Sequence, residues 1–382
     1  MAPNVPRMCY SAWVKRKRPP RSTAELIAEA SILYENGALT EAARTYRQAL
    51  AQEPDHVGAL NLLAIVLSDR GDPAAALPLI QRAIELDPGV AASHLNLGMV
   101  YAKLERDVLA VDAMHVASEL DPGSAMPLET LAKHHISRNQ PERAIAALRR
   151  ALARDPASAT VRFLIAGLTG DRVDATPAVV VEELFDSYAP SFEDHLVQRL
   201  HYRVPEQLEA LVVAAGNRPE RAWRVFDLGC GTGLCGAAFR PFANHLVGSD
   251  LSTRMIEIAG SRGLYDELHT EDLVATLRRA DADVDLVVAG DVLIYVGALE
   301  PTFAACASAL RDNGLFAFST ERCDGDGFRL LPSLRYAHSD GYVRALAERA
   351  GFAIAVIRDH VLRTEQDAPI VGALYLLARL PR

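Results

Sequence analysis

The sequence predicts two architectures in one chain, an N-terminal solenoid of paired helices and a C-terminal doubly wound α/β sheet with an antiparallel last strand. Three observations carry this prediction. Prolines recur every 34 residues in the first half, which is the period of a helix–turn–helix repeat. Apolar strands alternate with amphipathic helices in the second half. A glycine-rich run directly follows the first of those strands.

The repeat phase holds at several independent positions. An acidic residue precedes each of the four prolines, which are Pro54, Pro88, Pro122 and Pro156. Small residues that let helices approach closely keep the same interval: Ala42, Ala76, Ala110, Ala144, Ala49, Ala83, Ala117 and Ala151. Residues 23–170 therefore resemble the tetratricopeptide repeat family, with about four repeats and a capping helix. The resemblance implies a protein or peptide partner on the repeat surface; packing on the enzyme domain or on a second subunit is the alternative.

The second half, residues 171–382, alternates strands and helices, which indicates a mostly parallel sheet covered on both faces. Strands are predicted at Arg224–Leu228, Asn244–Ser249, Glu267–Thr270, Val284–Ala289, Gly314–Ser319, Phe352–Arg358 and Gly372–Arg379. Helices are predicted at Val179–Asp186, Val204–Ala214, Gly233–Arg240, Thr253–Ser261, Leu273–Ala280, Leu299–Leu310 and Asp340–Ala350. No helix is evident between the last two strands, so we expect a hairpin that makes the final strand antiparallel.

The sharpest motif is the glycine-rich run Asp227–Gly233, placed between the first strand and the next helix. Glycines are needed where the chain turns tightly and its backbone approaches a ligand. Asp250 ends the second strand, where an acid can accept hydrogen bonds from ribose hydroxyls. The segment Gly231–Gly236 also matches a dinucleotide fingerprint, so the loop alone leaves two nucleotide-type cofactors open.

Further residues resemble class I S-adenosylmethionine-dependent methyltransferases. The run Asp227–Gly233 is similar to their first motif, residues 271–273 resemble their adenine-contacting segment, and Asp291 stands where an acid often ends the fourth strand. The similarity covers residues 180–382 and is closest to the ubiquinone/menaquinone-biosynthesis type and the methyltransferase type 11/12 group. Residues 185–205 look like the lid helices of a bacterial subfamily that joins tetratricopeptide repeats to such a domain, and similarity to the Williams–Beuren-region methyltransferase-like proteins is visible there.

This resemblance implies S-adenosylmethionine as the cofactor. The site residues that it implies are Asp227, Gly229, Gly231 and Gly233 in the loop, Asp250 at the ribose, Leu251 and Asp272 at the adenine, Asp291 and Val292 at the sulfonium end, and Tyr188 and Arg203 closing the pocket. Helix packing is the alternative for Tyr188. A surface salt bridge is the alternative for Arg203, which is otherwise a candidate for the cofactor carboxylate.

A base is needed only where the methyl acceptor must lose a proton. The candidate catalytic residues are Asp291, Tyr295 and His338, with Glu321 nearby. Each has a simpler alternative: cofactor binding for Asp291, an aromatic wall for Tyr295, and a helix-start hydrogen bond for His338. No metal site is expected, because the five cysteines include no CxxC pair.

Composition and charge bear on two classes of binding partner, nucleic acid and membrane. A net charge of −9 argues against global attraction to nucleic acid, and no apolar run reaches membrane-spanning length. A cytoplasmic location follows as the expectation. Residues 1–22 are basic and lack an apolar core, so we expect a disordered tail, with a nucleic-acid arm or a transit peptide as alternatives.

The expected function is therefore methyl transfer to a small molecule, with repeats that bind a protein. Two alternatives remain from the sequence. In the first, the repeats recruit a protein that is itself methylated. In the second, the chain is a non-catalytic repeat scaffold with a vestigial cofactor pocket, which the intact glycine loop and its downstream acids argue against.

Overall fold

The computed structural model describes residues 21–189, 192–193, 196, 199–216, 221–365 and 368–382. Its Cα positions fall into two compact units, Met1–His134 and His135–Arg382. The predicted basic tail lies outside the described residues up to position 20. The predicted domain boundary at 170/171 stays a prediction. Among the described residues, no helix is long and apolar enough to cross a membrane.

The first unit is built from consecutive helix pairs, as the proline interval predicts. Its helices are α1 (Thr23–Glu35), α2 (Leu39–Gln52), α3 (Val57–Asp69), α4 (Pro73–Leu86), α5 (Ala91–Lys103), α6 (Asp107–Leu120) and α7 (Met126–Ser137), the last of which runs into the second unit. The second helices of the pairs begin at 39, 73 and 107, so the 34-residue period of the sequence is also the period of the structure.

The acids before the prolines have a local structural role. Asp87 Oδ1 accepts a hydrogen bond from the amide of Gly89 at 3.1 Å, and Asp121 Oδ1 accepts one from the amide of Ser124 at 3.2 Å. Such side-chain bonds close the turn between two repeats, where the chain has left the preceding helix. The acid–proline pair therefore marks the end of each repeat for a physical reason.

The repeated small residues form the contact between the paired helices. All eight alanines predicted from the phase have no solvent exposure. A large apolar row is buried between them, consisting of Tyr46, Ile80, Met114 and Leu148. A bulkier side chain in the alanine rows would push the two helices apart, because protein interiors leave no spare volume. The predicted solenoid is confirmed.

The second unit contains the last repeat helices and the α/β sheet. Its helices are α8 (Pro141–Arg154), α9 (Ala159–Thr169), α10 (Ala178–Tyr188), α11 (Val204–Ala214), α12 (Leu234–Phe239), α13 (Thr253–Ser261), α14 (Leu273–Leu277), α15 (Glu300–Ala309) and α16 (Asp340–Arg349). Its strands are β1 (Trp223–Leu228), β2 (Ala243–Asp250), β3 (Glu267–Thr270), β4 (Val284–Ala289), β5 (Leu310–Arg322), β6 (Phe328–Leu330), β7 (Tyr336–His338), β8 (Phe352–Glu365) and β9 (Ala368–Arg379).

The sheet places the functional region at its centre. The strand order is β3-β2-β1-β4-β5-β7-β6, and β1 pairs in parallel with both β2 and β4. The connections therefore turn in opposite directions on either side of β1. A crevice forms at the carboxyl ends of strands where the order reverses in this way. The loops after β1, β2 and β4 meet at this crevice.

The C-terminal hairpin confirms the predicted antiparallel last strand, because β9 pairs antiparallel with β5 and with β8. Several strand boundaries differ from the sequence prediction. Strand β5 runs from Leu310 to Arg322 rather than from Gly314 to Ser319, β8 continues to Glu365 rather than ending at Arg358, and β9 begins at Ala368 rather than Gly372. The short antiparallel pair of β6 and β7 was not predicted. The run Arg358–His360 is polar, which indicates a loop from sequence, whereas pairing with β9 extends the strand through it.

The predicted capping helix is α9, and it packs against the short strands of the same unit. Phe163 and Ala166 of α9 form a buried apolar cluster with Leu330 and Tyr336. Gly167 approaches so closely that an added Cβ would lie 2.5 Å from a methyl carbon of Leu334. The last repeat helix therefore shares a core with the strand pair β6–β7.

Candidate active site

The glycine-rich loop after β1 adopts a conformation that favours glycine. Gly229, Gly231 and Gly233 have φ values of +61°, +53° and +96°. A Cβ added to Gly229 would lie 2.2 Å from a methyl carbon of Val292, which lies in the loop after β4. The sequence analysis expected the backbone of this loop to approach a ligand closely. At Gly229 the close neighbour is instead a protein side chain, Val292, across the crevice between β1 and β4.

Tyr265 explains two other glycines, and sequence reasoning missed it. Its ring lies so close to Gly236 and Gly248 that an added Cβ would be 2.2 Å and 2.7 Å from ring or hydroxyl atoms. Its hydroxyl donates a hydrogen bond to Asp227 Oδ2 at 2.6 Å. Gly236, which completed the dinucleotide-type spacing in the sequence, is thus explained by aromatic packing.

Asp227 lies beneath the loop and does not line the cavity described below. Its side chain is buried, and this burial raises the pKa of the carboxyl group to about 7, against the opposing hydrogen bond from Tyr265. Asp227, which the resemblance places among the cofactor-binding residues of the loop, is therefore not part of the cavity lining. Its contacts instead hold the glycine loop from behind.

Asp250 ties the end of β2 to the glycine loop. Its two carboxylate oxygens accept hydrogen bonds from the amides of Gly231 and Ser252, each at 2.9 Å. Burial raises the pKa of the carboxyl group, and these amide bonds oppose that shift. Each carboxylate oxygen retains a second lone pair, so Asp250 can still accept a bond from a ribose hydroxyl.

Asp272 stands at the start of α14 and lines the cavity. Its Oδ1 accepts hydrogen bonds from the amides of Val274 at 2.9 Å and Ala275 at 3.1 Å. These bonds cap the helix. The neighbouring Glu271 forms a two-point ion pair with Arg279, at 2.7 Å and 2.9 Å. Both capping bonds engage Oδ1 of Asp272.

A cavity of about 1010 Å³ opens between the glycine loop, the loops after β2 and β4, and helix α10. Ligand sites commonly measure about 300–1,000 Å³, so this cavity lies at the large end of the range. The predicted site residues that line it are Tyr188, Gly229, Gly231, Asp250, Leu251, Asp272, Asp291, Val292 and Tyr295. The sheet loops therefore bring most of the predicted residues together.

The lid helix α10 and the residues after it cover the glycine loop. Asp186 of α10 accepts hydrogen bonds from the Ser252 hydroxyl and from the amide of Arg254. These two bonds connect α10 to the start of α13. The Phe192 ring would lie 3.7 Å from a Cβ added to Gly231. These contacts close the cavity over the crevice of the sheet.

A buried ion network forms the cavity wall beside Asp291, and sequence reasoning missed most of it. Arg363 donates to Asp291 at 2.8 Å, to Glu365 at 2.6 Å, and to Glu321. Arg335, in the loop between β6 and β7, donates to the same Glu365 oxygen. We call these five side chains the ion network. They come from four separate parts of the chain, so local sequence gives no signal for them.

Asp291 is held in an unusual backbone conformation. Its φ is +60°, which is uncommon for a residue other than glycine, and its amide donates to the Ser319 hydroxyl at 2.8 Å. Burial raises the pKa of its carboxyl group, while the charge of Arg363 opposes the shift. The strain and the two anchors turn this side chain into the cavity, as the sequence predicted for the end of β4.

The aromatic residues of the lid form a connected row. Tyr188 contacts Phe192, Phe192 contacts Phe185, and Phe185 contacts Tyr295, with ring centroids 5.3–6.1 Å apart in edge-to-face geometry. All four line the cavity. Burial raises the pKa of Tyr295, whose hydroxyl is hydrogen-bonded to Arg335. These contacts favour the aromatic wall over the base for Tyr295.

Three further predicted residues lie away from the cavity. His338 is fully buried in β7, and its Nε2 donates to the carbonyls of Val296 at 2.9 Å and Gly297 at 3.0 Å. Burial lowers the pKa of its imidazole to about 4. It therefore positions the loop after Tyr295 rather than exchanging protons with a ligand. Arg203 is exposed, and Gly233 also lies outside the cavity lining.

No group of three or more His, Cys, Asp or Glu side chains with metal-binding geometry occurs among residues that the structure describes. Cys230 of the glycine loop and Cys235 of α12 are free and buried. Burial raises the pKa of both thiols well above the usual value, so they are protonated at neutral pH. They act as small apolar side chains in the core.

Two family models match the chain. A methyltransferase domain matches residues 226–318, and a tetratricopeptide repeat matches residues 27–89, 62–125 and 130–168. The chain therefore joins tetratricopeptide repeats to a methyltransferase domain. The domain match covers the glycine loop, Asp250 and Asp291, and it supports S-adenosylmethionine as the cofactor.

Solved structures similar to the chain include three methyltransferases. Magnesium protoporphyrin IX methyltransferase from Synechocystis PCC 6803, with bound SAH, is 20% identical over 53% of this chain and 99% of that one, with a TM-score of 0.42. A Burkholderia thailandensis 1,6-didemethyltoxoflavin-N1-methyltransferase is 17% identical over 55% and 93%, with a TM-score of 0.43. An S-adenosylmethionine dependent methyltransferase from Mesorhizobium loti is 23% identical over 45% and 98%, with a TM-score of 0.35.

Proposed function

We propose that the chain is an S-adenosylmethionine-dependent methyltransferase that acts on a small molecule. The observation that carries this proposal is the single cavity of about 1010 Å³ shared by the glycine loop, Asp250 and the ion network. Its volume is large for one ligand of ordinary size, which supports a cofactor and a small acceptor side by side. The lid over it supports chemistry in a space that excludes water.

The cofactor end is assigned to the loops after β1 and β2. In this proposal the backbone of Gly229 and Gly231 lies along the cofactor, Asp250 binds the ribose, and Leu251 packs on the adenine. The free oxygen of Asp272 accepts a bond from the adenine amino group. Asp227 and Gly233 support the loop from outside the cavity, and Arg203 receives no ligand role because its side chain is exposed.

The reacting end is assigned to the residues after β4. S-adenosylmethionine, when bound, would supply the methyl group: the acceptor would bond to the methyl carbon as the carbon–sulfur bond breaks, and S-adenosylhomocysteine would leave with that electron pair. Val292 and the Asp291 side chain border that end, and the aromatic row keeps water out. Asp291 is the best-placed proton acceptor, because Arg363 fixes its carboxylate at the cavity wall.

The repeats are assigned to protein binding. Helix α6 exposes an apolar row formed by Val108, Leu109, Val116 and Leu120. Apolar side chains grouped on one exposed helix surface favour contact with another protein. This observation also keeps a second candidate function open, in which the repeats recruit a protein that the C-terminal unit methylates.

The two candidates differ in where a labelled methyl group goes. The full chain is incubated with a cell extract and S-adenosylmethionine carrying an isotopic methyl label. The proposal expects label in the fraction of small molecules, at a rate that removal of residues 21–134 leaves within about a factor of two, since repeat contacts are local. Label confined to protein, and lost with the repeats, would establish the second candidate instead.

A further inference from the structure

The ion network carries an excess of negative charge. It contains three carboxylates, Asp291, Glu321 and Glu365, and two guanidinium groups, Arg335 and Arg363. Three negative and two positive charges leave a formal excess of one negative charge. Because four of the five side chains, all but Glu321, line one cavity of low polarity, this excess acts on whatever occupies the cavity.

Both arginines already form ion pairs with carboxylates of the network. Arg363 is 2% exposed, and each of its three nitrogens donates to one of the three acids. Arg335 donates to Glu365 and is hydrogen-bonded to Tyr295. An anionic ligand would have to compete with these ion pairs, and separating paired charges in a poorly solvated site is costly.

Glu365 is the most open acid of the network. Its side chain is 26% exposed, and it lines the cavity. Both arginines donate to its Oε1, so the described bonds engage one oxygen of the carboxylate. Burial alone would raise its pKa, but the bond from Arg363 and the charge of Arg335 bring the pKa below the usual value. Glu365 is therefore ionised at neutral pH.

Aromatic rings line the same cavity as this carboxylate. Tyr295 is hydrogen-bonded to Arg335, which also donates to Glu365. The charges of Arg335, Glu365 and the exposed Arg199 act on the Tyr188 hydroxyl. Phe185 and Phe192 complete the aromatic row along the same cavity. The face of an aromatic ring attracts cations, and a carboxylate next to such rings strengthens the attraction.

We propose that this part of the cavity binds a cationic group of the methyl acceptor, such as a protonated amine, with Glu365 as its ionic partner and Tyr188 and Tyr295 as its aromatic walls. The inference rests on the proposed function, since an acceptor site presupposes methyl transfer. The charge excess and the committed arginines favour a cation over an anion held by Arg335.

Three small phenols that differ at one end provide the test. Tyramine carries an ammonium group, tyrosol a neutral hydroxyl and 4-hydroxyphenylacetate a carboxylate on the same ring. Each is titrated calorimetrically into the full chain saturated with S-adenosylhomocysteine. Tyramine is expected to bind about fivefold more tightly than tyrosol, a typical gain for a partly desolvated cation beside aromatic rings, and the carboxylate should bind most weakly. Equal affinities, or tightest binding of the carboxylate, would overturn the proposal.

Two substitutions test whether Glu365 causes the preference for tyramine over tyrosol. Glu365→Gln should reduce the preference for tyramine over tyrosol to less than about twofold, because the uncompensated charge is removed. Glu267→Gln is the matched control, since that exposed glutamate pairs with His245 and His269 on the edge of the sheet. An unchanged preference in Glu365→Gln would place the cation elsewhere and overturn the assignment. If Glu365→Gln fails to fold, the comparison of the three phenols on the unmodified chain still decides.

The cofactor itself carries a cation, the sulfonium, and one further comparison separates it from the acceptor. The ratio of S-adenosylmethionine to S-adenosylhomocysteine affinity should be the same in Glu365→Gln and in the unmodified chain. A selective loss of S-adenosylmethionine affinity would mean that Glu365 serves the sulfonium, which overturns the acceptor assignment and leaves the proposed function standing. Failure of both cofactor forms to bind the unmodified chain would instead overturn the proposed function.

Discussion

Arg363, on the second-last strand, donates a 2.8 Å hydrogen bond to Asp291, which follows β4 and lies 72 residues earlier in the chain. The same guanidinium binds Glu321 and Glu365. One buried arginine thus joins the C-terminal hairpin to the predicted reacting end of the site. Its loss would leave three acids near one another without their shared counter-ion.

Replacement of Arg363 by methionine should therefore destabilise the protein strongly. Leaving buried charges unpaired costs about 3–5 kcal/mol, which should appear as a lower free energy of unfolding in urea titrations. Arg349→Met is the control, because Arg349 is exposed and its contact with Glu300 is 3.9 Å long. A loss below about 1 kcal/mol for Arg363→Met, similar to that of the control, would show that the network is well solvated.

Gly229→Ala should weaken cofactor binding by more than about tenfold, and Gly263 provides a matched glycine for comparison. Gly229 and Gly263 have nearly the same φ, +61° and +63°, so alanine at either adds about 1–2 kcal/mol of backbone strain. An added Cβ meets Val292 at Gly229 and open space at Gly263. We expect a drop of more than about tenfold in S-adenosylhomocysteine affinity for Gly229→Ala alone, since 1.4 kcal/mol already corresponds to tenfold. Equal losses of affinity in the two variants would mean that backbone strain, and not the contact with Val292, weakens cofactor binding.

The raised pKa of Asp227 predicts a dependence of stability on pH. Burial favours the protonated carboxyl group, so between about pH 4 and the folded-state pKa of about 7 the folded protein binds more protons than the unfolded chain. The contribution of Asp227 to stability is therefore present at low pH and is lost as the pH rises through this window. Asp227→Asn, which still accepts the bond from Tyr265, should flatten that part of the pH profile in thermal unfolding. A variant whose profile parallels that of the unmodified protein from pH 4 to 7 would contradict the assignment.

The thermal stability of a C-terminal fragment should depend on whether the fragment includes α9. A fragment of residues 139–382 keeps Phe163 against Leu330 and Tyr336, whereas a fragment of residues 171–382 exposes that cluster. Burying a side chain such as Phe163 contributes about 1.5–3 kcal/mol, so the longer fragment should melt several degrees higher. Both fragments are compared by calorimetry with and without S-adenosylhomocysteine. Equal melting temperatures would show that α9 belongs energetically to the repeats alone.

The sequence was most informative where one local pattern determines structure. The proline interval located the helix pairs, and the ranges Glu267–Thr270, Val284–Ala289 and Val204–Ala214 agree with the structure residue for residue. Val284–Ala289 is a short, mostly apolar run, and Val204–Ala214 has apolar residues at helical spacing, so composition and period suffice for these two. Glu267–Thr270 is mostly polar and was predicted from the regular alternation of strands and helices. Asp250 and Asp291 were located because each follows an evident strand.

The residues that sequence reasoning missed are defined by distant contacts. Tyr265 explains glycines at 236 and 248, and no pattern around it indicates that its ring would reach them. Arg335 lies between two strands of three residues, too short to leave a period. Arg363 belongs to a strand that continues through polar residues only because β9 pairs beside it. His338 was predicted as a candidate base, with a helix-start hydrogen bond as the alternative, whereas in the structure it is buried in β7 and bonds to the carbonyls of Val296 and Gly297.

The central claim is that the cavity beside the glycine loop binds S-adenosylmethionine, although the segment Gly231–Gly236 also has the spacing of a dinucleotide site. Calorimetric titration of the full chain with S-adenosylmethionine, S-adenosylhomocysteine and NAD separates the two most directly. The account predicts one site per chain with micromolar affinity for the first two ligands, about −8 kcal/mol, and no measurable heat with NAD. Tight binding of NAD, with no response to either S-adenosyl compound, would contradict it.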